Sequence, residues 1–547
     1  MDTALLRRTW GLRRHAVAGV LAAALLLGVG DVVARFFLPA ASPLVALGST
    51  VIEFAPPAVQ EMAISVLGPL NKPVLFLGMG LVGAAAAAGI GAIGRRRPLI
   101  ASGMFLAVAA MLLVAVARRP ETGAGDLIPG LLGAAVGLAA LLGLWRLAGS
   151  GAEAEHPAPE RHAEQRAEPH REPHLEPHSG PHTESWPGSR PGSRRAFLAA
   201  ASGATALAIT CFAVGRSIGA FGRGAGERLV ELVLPQPARA ASPIPAAASV
   251  SVAGVPPFIT PNDDFYRIDT ALVVPELEPG EWSLRITGMV EEEVSLDMSE
   301  LLDLPLEEHH VTLTCVSNPV GGDLLGTATW LGFPVRDLLA RARPLPEADM
   351  VLSRSVDGFT ASTPLEALTD ERASLLAVGM NGEPLPRQHG FPARLVVPGL
   401  YGYVSATKWV VELHLTRFDQ DTAYWTDRGW DERGPVLVAS RIDVPRPLAT
   451  VPRDEVVVAG TAWAQHDGIA AVEVKVDDGD WQEVELAAEV TVDTWRQWRL
   501  PLDGVEPGRH AVTVRATSVS GDLQIGERRD PIPNAATGHH RIEFQVE

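Results

Sequence analysis

Only two of the 547 residues are cysteine, Cys211 and Cys315. No disulfide framework can hold such a chain, and each thiol needs its own explanation. Positive charge is also in short supply: 46 Lys and Arg stand against 64 Asp and Glu, for a net charge of −18. The deficit is uneven. Residues 1–150 carry net +6, 151–195 net −2, 196–240 net +2 and 241–547 net −24. A segment as acidic as the last lacks the basic footprint that phosphate backbones require, which excludes nucleic acid as a partner. Yet the mean hydropathy of the chain is positive, +0.14. An evenly acidic soluble protein would not combine these values, so apolar and acidic residues must be segregated along the chain.

Apolar runs at 16–38, 73–94, 99–117 and 127–147 approach the roughly 20 residues that cross a hydrocarbon core as a helix. Residues 1–150 therefore read as a four-helix transmembrane region. Arg7, Arg8, Arg13 and Arg14 precede the first run, and Arg95, Arg96 and Arg97 separate the second from the third. Such clusters favour the cytoplasmic side, so the N-terminus is expected to be cytoplasmic and residues 43–70 to form an external loop with an interfacial helix. Arg118 and Arg119 then fall outside, against the trend. The runs contain no histidine beyond His15 at the start, so paired imidazoles for a haem are missing, and no chain of acids or bases is expected to cross them. That pattern favours an anchor over a pump or a cytochrome.

Residues 151–195 change to Pro, His, Glu and Arg, a disordered-linker composition in which the histidines are not preorganised for metal. Then comes Ser193-Arg194-Arg195-Ala196-Phe197-Leu198, an Ala-rich apolar stretch to Val214, and Ala238-Arg239-Ala240. Residues 196–240 fit a fifth transmembrane helix or an internal twin-arginine-like signal, and both readings carry the rest of the chain outward. Ala238-Arg239-Ala240 has the small-residue character of a cleavage site. Cys211, inside the apolar stretch, is expected to be a small packing residue.

Residues 241–430 alternate short strand-like and helical runs, as in an α+β domain. Strands are predicted at 282–287, 311–314 and 394–397, and helices at 299–304 and 334–341. Along this segment lie Asn262-Asp263-Asp264-Phe265-Tyr266, Thr312-Leu313-Thr314-Cys315, Met380-Asn381-Gly382-Glu383-Pro384-Leu385-Pro386, His389-Gly390-Phe391-Pro392-Ala393-Arg394 and Gly402-Tyr403-Val404-Ser405-Ala406-Thr407-Lys408-Trp409. One such turn alone is weak evidence. In this order, the set resembles the sulfite oxidase family of molybdopterin enzymes.

The resemblance covers about 255–547 and implies a Mo-molybdopterin cofactor. It makes Cys315 the protein ligand of the metal and the catalytic centre, a role that suits a soft thiolate. His389 and Arg394 match positions that hold the pterin, the guanidinium offering a planar fork of donors. Ser405, Ala406, Thr407 and Lys408 match the loop that cradles its phosphate, one residue longer here than in the family form. Asn262, Tyr266 and Arg267 match the entry segment over the pterin, and Ser355 and Asp357 a further contact. Where sulfite oxidases place an anion-binding arginine five residues after the cysteine, this chain has Val320. A desolvated sulfite dianion needs fixed positive charge, so sulfite is demoted as substrate, with Arg354 as the one alternative source of charge.

Residues 431–547 read as an immunoglobulin-like β-sandwich. Val472, Val474 and Val476 alternate with polar residues, Asp478-Gly479 signals a type I′ hairpin, and 511–516 forms another half-buried strand. The resemblance makes this the dimerisation domain of a homodimer, with a spacer or adhesion role as the alternative. The expectation is therefore a multi-domain chain: an α-helical transmembrane anchor, an α+β molybdopterin domain and a β-sandwich. It would be a multi-pass membrane protein with an extracytoplasmic oxidoreductase transferring an oxygen atom to or from a small-molecule substrate, with electrons passing to a separate carrier. The competing reading is a cofactor-free surface-binding protein that retains the fold.

Overall fold

The computed structural model describes residues 3–37, 41–56, 59–60, 62–63, 67, 70–119, 122–149, 194–229 and 232–547. The linker expected at 151–195 lies outside the described residues except at its last two positions. The chain divides into two compact units. One comprises Met1–Gly48, Pro73–Arg118 and Thr122–Phe221; the other comprises Ser49–Lys72, Arg119–Glu121 and Gly222–Glu547.

The first unit is helical: α1 (Thr3–Ala34), the start of α2 (Pro43–Phe54), α3 (Asn71–Gly94) from Pro73 on, α4 (Pro98–Ala117), α5 (Ile128–Gly149) and most of α6 (Arg194–Leu229). Five segments, Gly11–Ala34, Asn71–Gly94, Pro98–Ala117, Ala124–Ala148 and Arg195–Val214, are long and apolar enough to cross a membrane. Their helices approach closely at glycine. A Cβ on Gly91 would strike the His15 carbonyl, and one on Gly133 the Leu26 carbonyl. Without side chains there, backbones pack directly, as apolar helices do when dispersion rather than water drives association. Cys211 sits in such a contact, its Cβ 3.3 Å from where a side chain on Gly28 would begin. One acid does lie within a span, as a local group and not as part of a chain of acids or bases. Asp31 of α1 is buried, accepting from Arg35 Nη2 at 3.1 Å and Ser42 Oγ at 2.9 Å. This is a local pair near the helix end, and its partners explain how the carboxylate is tolerated.

The second unit is rich in sheet. One sheet has the order β2-β1-β10-β5-β6, built from β1 (Ser283–Gly288), β2 (Val294–Asp297), β5 (Met350–Ser355), β6 (Thr360–Pro364) and β10 (Val410–Thr416). Another has the order β3-β4-β7-β8, with β9 (Arg394–Val396) on β7 (Leu375–Met380); β3 is Glu307–Thr314, β4 Leu325–Pro334 and β8 Glu383–Pro384. The expected strand at 311–314 is the end of the longer β3, whose inner half is buried. Helix α7 (Met298–Leu302) starts from a capping box: Asp297 accepts from Glu300 N at 2.9 Å, and Glu300 accepts from Asp297 N at 2.9 Å. Helix α8 (Val335–Ala342) buries Val335, Leu338, Leu339 and Ala342, the 3.6-residue repeat of one apolar face.

Residues 439–546 form two further sheets around one core. The first has the order β11-β13-β17-β16: β11 (Ala439–Val444), β13 (Val457–Trp463), β16 (Glu485–Leu486) and β17 (Arg496–Pro501). The second has the order β12-β19-β18-β14-β15: β12 (Thr450–Val451), β14 (Ile469–Val476), β15 (Trp481–Glu483), β18 (Gly508–Ser518) and β19 (His540–Val546). Trp498, Val474, Val514 and Phe544 meet between them. The β14–β15 hairpin is present, but not with the expected turn. Lys475 pairs with Trp481, so the loop is longer than two residues, and Asp477 rather than Asp478-Gly479 takes the left-handed backbone, at φ 51°. The Asp477 carboxylate is held by Ala511 N at 2.8 Å, which fixes that conformation. Finally, Ala238-Arg239-Ala240 is not a free extended segment. Ala238 N donates to Leu306 O at 2.7 Å and Glu308 N to Arg239 O at 2.8 Å, so it lies along β3.

Leu338 is wholly buried, whereas Asp297 contributes a surface cap. Leu338→Ala is expected to cost about 2–5 kcal/mol, and Asp297→Ala, which removes only an exposed cap, much less. In thermal unfolding of the detergent-solubilised chain, the first should lower the transition of the sheet-rich unit several-fold more than the second.

Candidate active site

Four elements bring the chemistry-bearing residues together. Strand β3 ends at Thr314 and delivers Cys315; the one-turn helix Arg387–His389 delivers His389; β9 begins with Arg394; and the segment after α9 (Gly402–Ser405) runs through Ala406 to Lys408. Arg394 and Lys408 are bridged backbone to backbone, and Gly390, at φ 112°, lets the chain turn tightly against both. These residues line an open cleft whose empty space, its solvent side included, is about 920 Å³, together with Tyr266, Asp269, Ser355, Asp357, Tyr403, Trp425 and Trp430.

The cleft is dominated by buried positive charge. Arg394 is 5% exposed and gives its donors to main-chain carbonyls: Nη1 to His389 O at 3.0 Å, Nε to Leu395 O at 3.2 Å and Nη2 to Ala406 O at 3.3 Å. Trp330 lies 5.1 Å beneath its guanidinium. No carboxylate pairs with it among the described residues, and burial lowers its pKa to about 10. Beside it, Asp269 gathers three cations. It accepts from Lys408 Nζ at 2.8 Å, Lys72 Nζ at 2.9 Å and Arg267 Nε at 3.0 Å, with its own side chain 4% exposed. Burial alone would raise the pKa of this carboxyl, but Lys408, Lys72 and Arg267 outweigh that and hold it far below the usual carboxylate range. Lys408 is itself drawn down to about 8 by burial, opposed by Asp269. One carboxylate thus answers three cations, with Arg394 beside them.

The neutral groups are equally defined. Burial, then the nearby Arg394 and Lys408 charges, push His389 down to about 4, so it is uncharged at neutral pH. Its Nε2 donates to Asn262 O at 3.1 Å, which leaves Nδ1 as an acceptor. Burial raises Asp357 above the ordinary carboxylate range. Ser355 Oγ is buried without a hydrogen-bond partner. Cys315 is a free, buried thiol that burial pushes up to about 11. Unaided, it would stay protonated and inert; a coordinating metal would deprotonate it.

A molybdopterin fits this donor set. Its phosphate and dithiolene are anionic and would meet the surplus of cations, an orphaned hydroxyl and a free imidazole nitrogen, with Cys315 as the soft ligand. Of the residues the sequence singles out, Cys315, Tyr266, Ser355, Asp357, His389, Arg394, Ala406 and Lys408 line the cleft. Arg267 and Asn262 stand behind it, through Asp269 and His389. Two hydroxyls do not reach it. Ser405 is wholly buried and turns to Leu400 O at 3.1 Å and Tyr401 O at 3.0 Å, its own helical turn; Thr407 pairs with Ser353 Oγ at 2.7 Å. Asp269 and Lys72 were not found from sequence, since Lys72 lies 197 residues from its partner and no local pattern marks either.

The sign of the Asp269 shift sets a pH test. A carboxyl with a depressed folded pKa contributes stability that is complete above its unfolded value of 3.8 and is lost as pH falls below it. The stability difference between the cofactor-free chain and its Asp269→Asn variant should be largest near neutrality and shrink below about pH 4. A constant difference in acid titrations followed by circular dichroism would contradict the assignment.

Comparison with known proteins agrees with this geometry. Residues 271–425 match the oxidoreductase molybdopterin binding domain. Rat mitochondrial sulfite oxidase is 32% identical over 343 residues, covering 53% of this chain and 62% of that protein. The uncharacterized oxidoreductase YuiH of Bacillus subtilis is 31% identical over 180 residues, 33% of this chain and 87% of that protein. Among solved structures, the sulfane dehydrogenase SoxCD of Paracoccus pantotrophus aligns with a TM-score of 0.46 and 24% identity, over 53% of this chain and 84% of that one. The chain spans about three fifths of the length of the rat sulfite oxidase it matches. From the matched domain, the extent of YuiH that is covered and the ordered motifs lining one cleft, the chain belongs to the sulfite oxidase family of molybdopterin-dependent oxidoreductases.

Proposed function

We propose that this chain is a membrane-anchored, extracytoplasmic oxidoreductase that carries Mo-molybdopterin, with Cys315 as the metal's protein ligand. The observation that carries the reading is the cleft itself: a buried thiol in a wall shared with the buried cations Arg394 and Lys408. The cofactor, when bound, supplies two-electron oxygen-atom transfer. The protein's part is positioning and electrostatics. Arg394 and Lys408 would hold the anionic parts of the pterin, the neutral His389 would offer Nδ1 to a ring N–H, and Tyr266 and the indoles of Trp425 and Trp430 would keep water from the reacting atoms. Asp269 keeps Lys408 in place rather than touching the cofactor's metal. A cofactor-free binding protein would have no use for a buried Arg394 with no anionic partner, which costs stability unless an anion arrives.

Supporting the outward orientation, residues 49–72, between the first two spans, group with the catalytic unit. Lys72 reaches Asp269, and Arg428 Nη2 donates to Glu53 O at 3.2 Å. Arg119, which offends the charge rule if external, pairs there with Glu53 at 3.4 Å. A local partner accounts for it without reversing the topology. We assign the two-sheet module at residues 431–547 as immunoglobulin-like and as the surface through which a homodimer forms. Electrons would pass to a separate carrier.

The full chain, purified from a molybdopterin-competent host, should contain one Mo and one pterin by metal analysis and by fluorescence of the oxidised pterin. A correctly folded chain with neither would refute the proposal. Cys315→Ser should keep the fold and abolish turnover, and undiminished turnover would remove Cys315 as ligand.

A further inference from the structure

Lys72 is absent from the cleft lining, yet it grips one half of a carboxylate that lines it. Its Nζ, in the first turn of α3, donates to Asp269 Oδ1 at 2.9 Å and to Ala271 O at 2.6 Å. The other oxygen, Oδ2, accepts from Lys408 Nζ at 2.8 Å and from Arg267 Nε at 3.0 Å. The terminal torsion of an aspartate is soft, so a carboxylate held at one oxygen alone can swing. Lys72 on Oδ1 removes that freedom and keeps Oδ2 aimed at Lys408. Lys408 gives a second proton to Gln388 O at 3.2 Å, which leaves its third for the cleft that it lines. The side chains of Asp269 and Lys408 are 4% and 10% exposed, so little water is at hand to replace a misdirected contact.

The opposite wall of the cleft is backed in the same way. Arg119, just after α4, donates from Nη2 to Thr50 Oγ1 at 2.7 Å and pairs with Glu53 at 3.4 Å. The Glu53 carbonyl accepts from Arg428 Nη2 at 3.2 Å, and the Arg428 guanidinium lies 3.7 Å from the centre of the Tyr424 ring. Tyr424 in turn packs on Trp425 at 5.1 Å and Phe359 at 5.8 Å, both of which line the cleft. Lys72, Thr50, Glu53 and Arg119 all lie between membrane-length helices in sequence, and all fall in the same compact unit as residues 222–547.

We propose that Lys72 is a positioning residue of the cofactor site: through Asp269 it holds the Lys408 ammonium toward the cofactor's phosphate. The segment between the first two spans is then part of the binding machinery as well as of the anchor. The inference rests on the oxidoreductase reading above. Lys72 touches neither cofactor nor substrate; its effect passes through both oxygens of one carboxylate. Loss of such a supporting contact typically weakens a bound group by about tenfold or more.

The test uses the full chain, solubilised in detergent, with its Mo and pterin content measured first. Release of the pterin into solution is followed by fluorescence after oxidation, well below the unfolding temperature. Lys72→Met should release pterin about tenfold faster than the unaltered chain. Lys72→Arg, which keeps the charge, should restore the rate to within about threefold of the original. In an Asp269→Asn chain, where the relay is already cut, adding Lys72→Met should change the rate less than about twofold. Unaltered release from Lys72→Met, no restoration by Lys72→Arg, or a full tenfold effect of Lys72→Met on top of Asp269→Asn overturns the inference. If the unaltered chain carries no Mo or pterin, the oxidoreductase reading has failed. Calorimetry with inorganic phosphate then judges Lys72 alone: binding weakened about tenfold by Lys72→Met supports its role, and equal binding or none overturns it.

Discussion

A buried carboxylate, Asp269, that answers Lys408, Lys72 and Arg267 beside the buried Arg394 is the constraint on which the catalytic unit depends. Asp269 neutralises part of the charge of Lys72, Arg267 and Lys408, and Arg394 is left to main-chain carbonyls and the face of Trp330. Withdrawing Arg394 and Lys408 from water is expensive, and an anionic ligand would offset that cost. The same surplus explains the neighbours. It adds to burial, the larger cause, in keeping His389 neutral. A protonated, buried Cys315 at the edge of this field is unreactive until a metal replaces its proton.

Cys315 also divides two environments of opposite character. On one side lies the cationic cleft suited to an anionic cofactor; on the other lies a chamber with no cation in its lining. An enzyme acting on sulfite would need fixed positive charge on both sides. Here the lining cations are confined to one, and the two-sheet module contributes apolar and neutral polar groups and the carboxylate of Asp522 to the other. The net −24 of residues 241–547 fits that division, because the acidic residues lie mostly on the surface while Arg394 is buried in the cleft.

Much of this was legible in the sequence because it depends on local order. His389 and Arg394 are five residues apart across a tight turn, so the motif that names them also brings them to one wall, and a cysteine ending a strand is a local feature. The helical unit was legible from run length and composition alone. What escaped was non-local or decided by competition. Asp269 looks like a surface carboxylate in sequence, and four membrane-length helices separate it along the chain from its partner Lys72. Ser405 and Thr407 are the right residue types for binding phosphate, but a helical turn and Ser353 claim their hydroxyls first. The β14–β15 hairpin was anticipated, yet pairing of Lys475 with Trp481 lengthened its loop and moved the left-handed residue to Asp477.

The central claim is that Cys315 is the protein ligand of a metal whose other contacts come from a pterin held by the cationic cleft. X-ray absorption fine structure at the molybdenum edge, measured on the loaded full chain and on its Cys315→Ser variant, tests it most directly. The account predicts that the variant retains its pterin and loses one sulfur neighbour from the metal. An unchanged number of sulfur neighbours in the variant would contradict it.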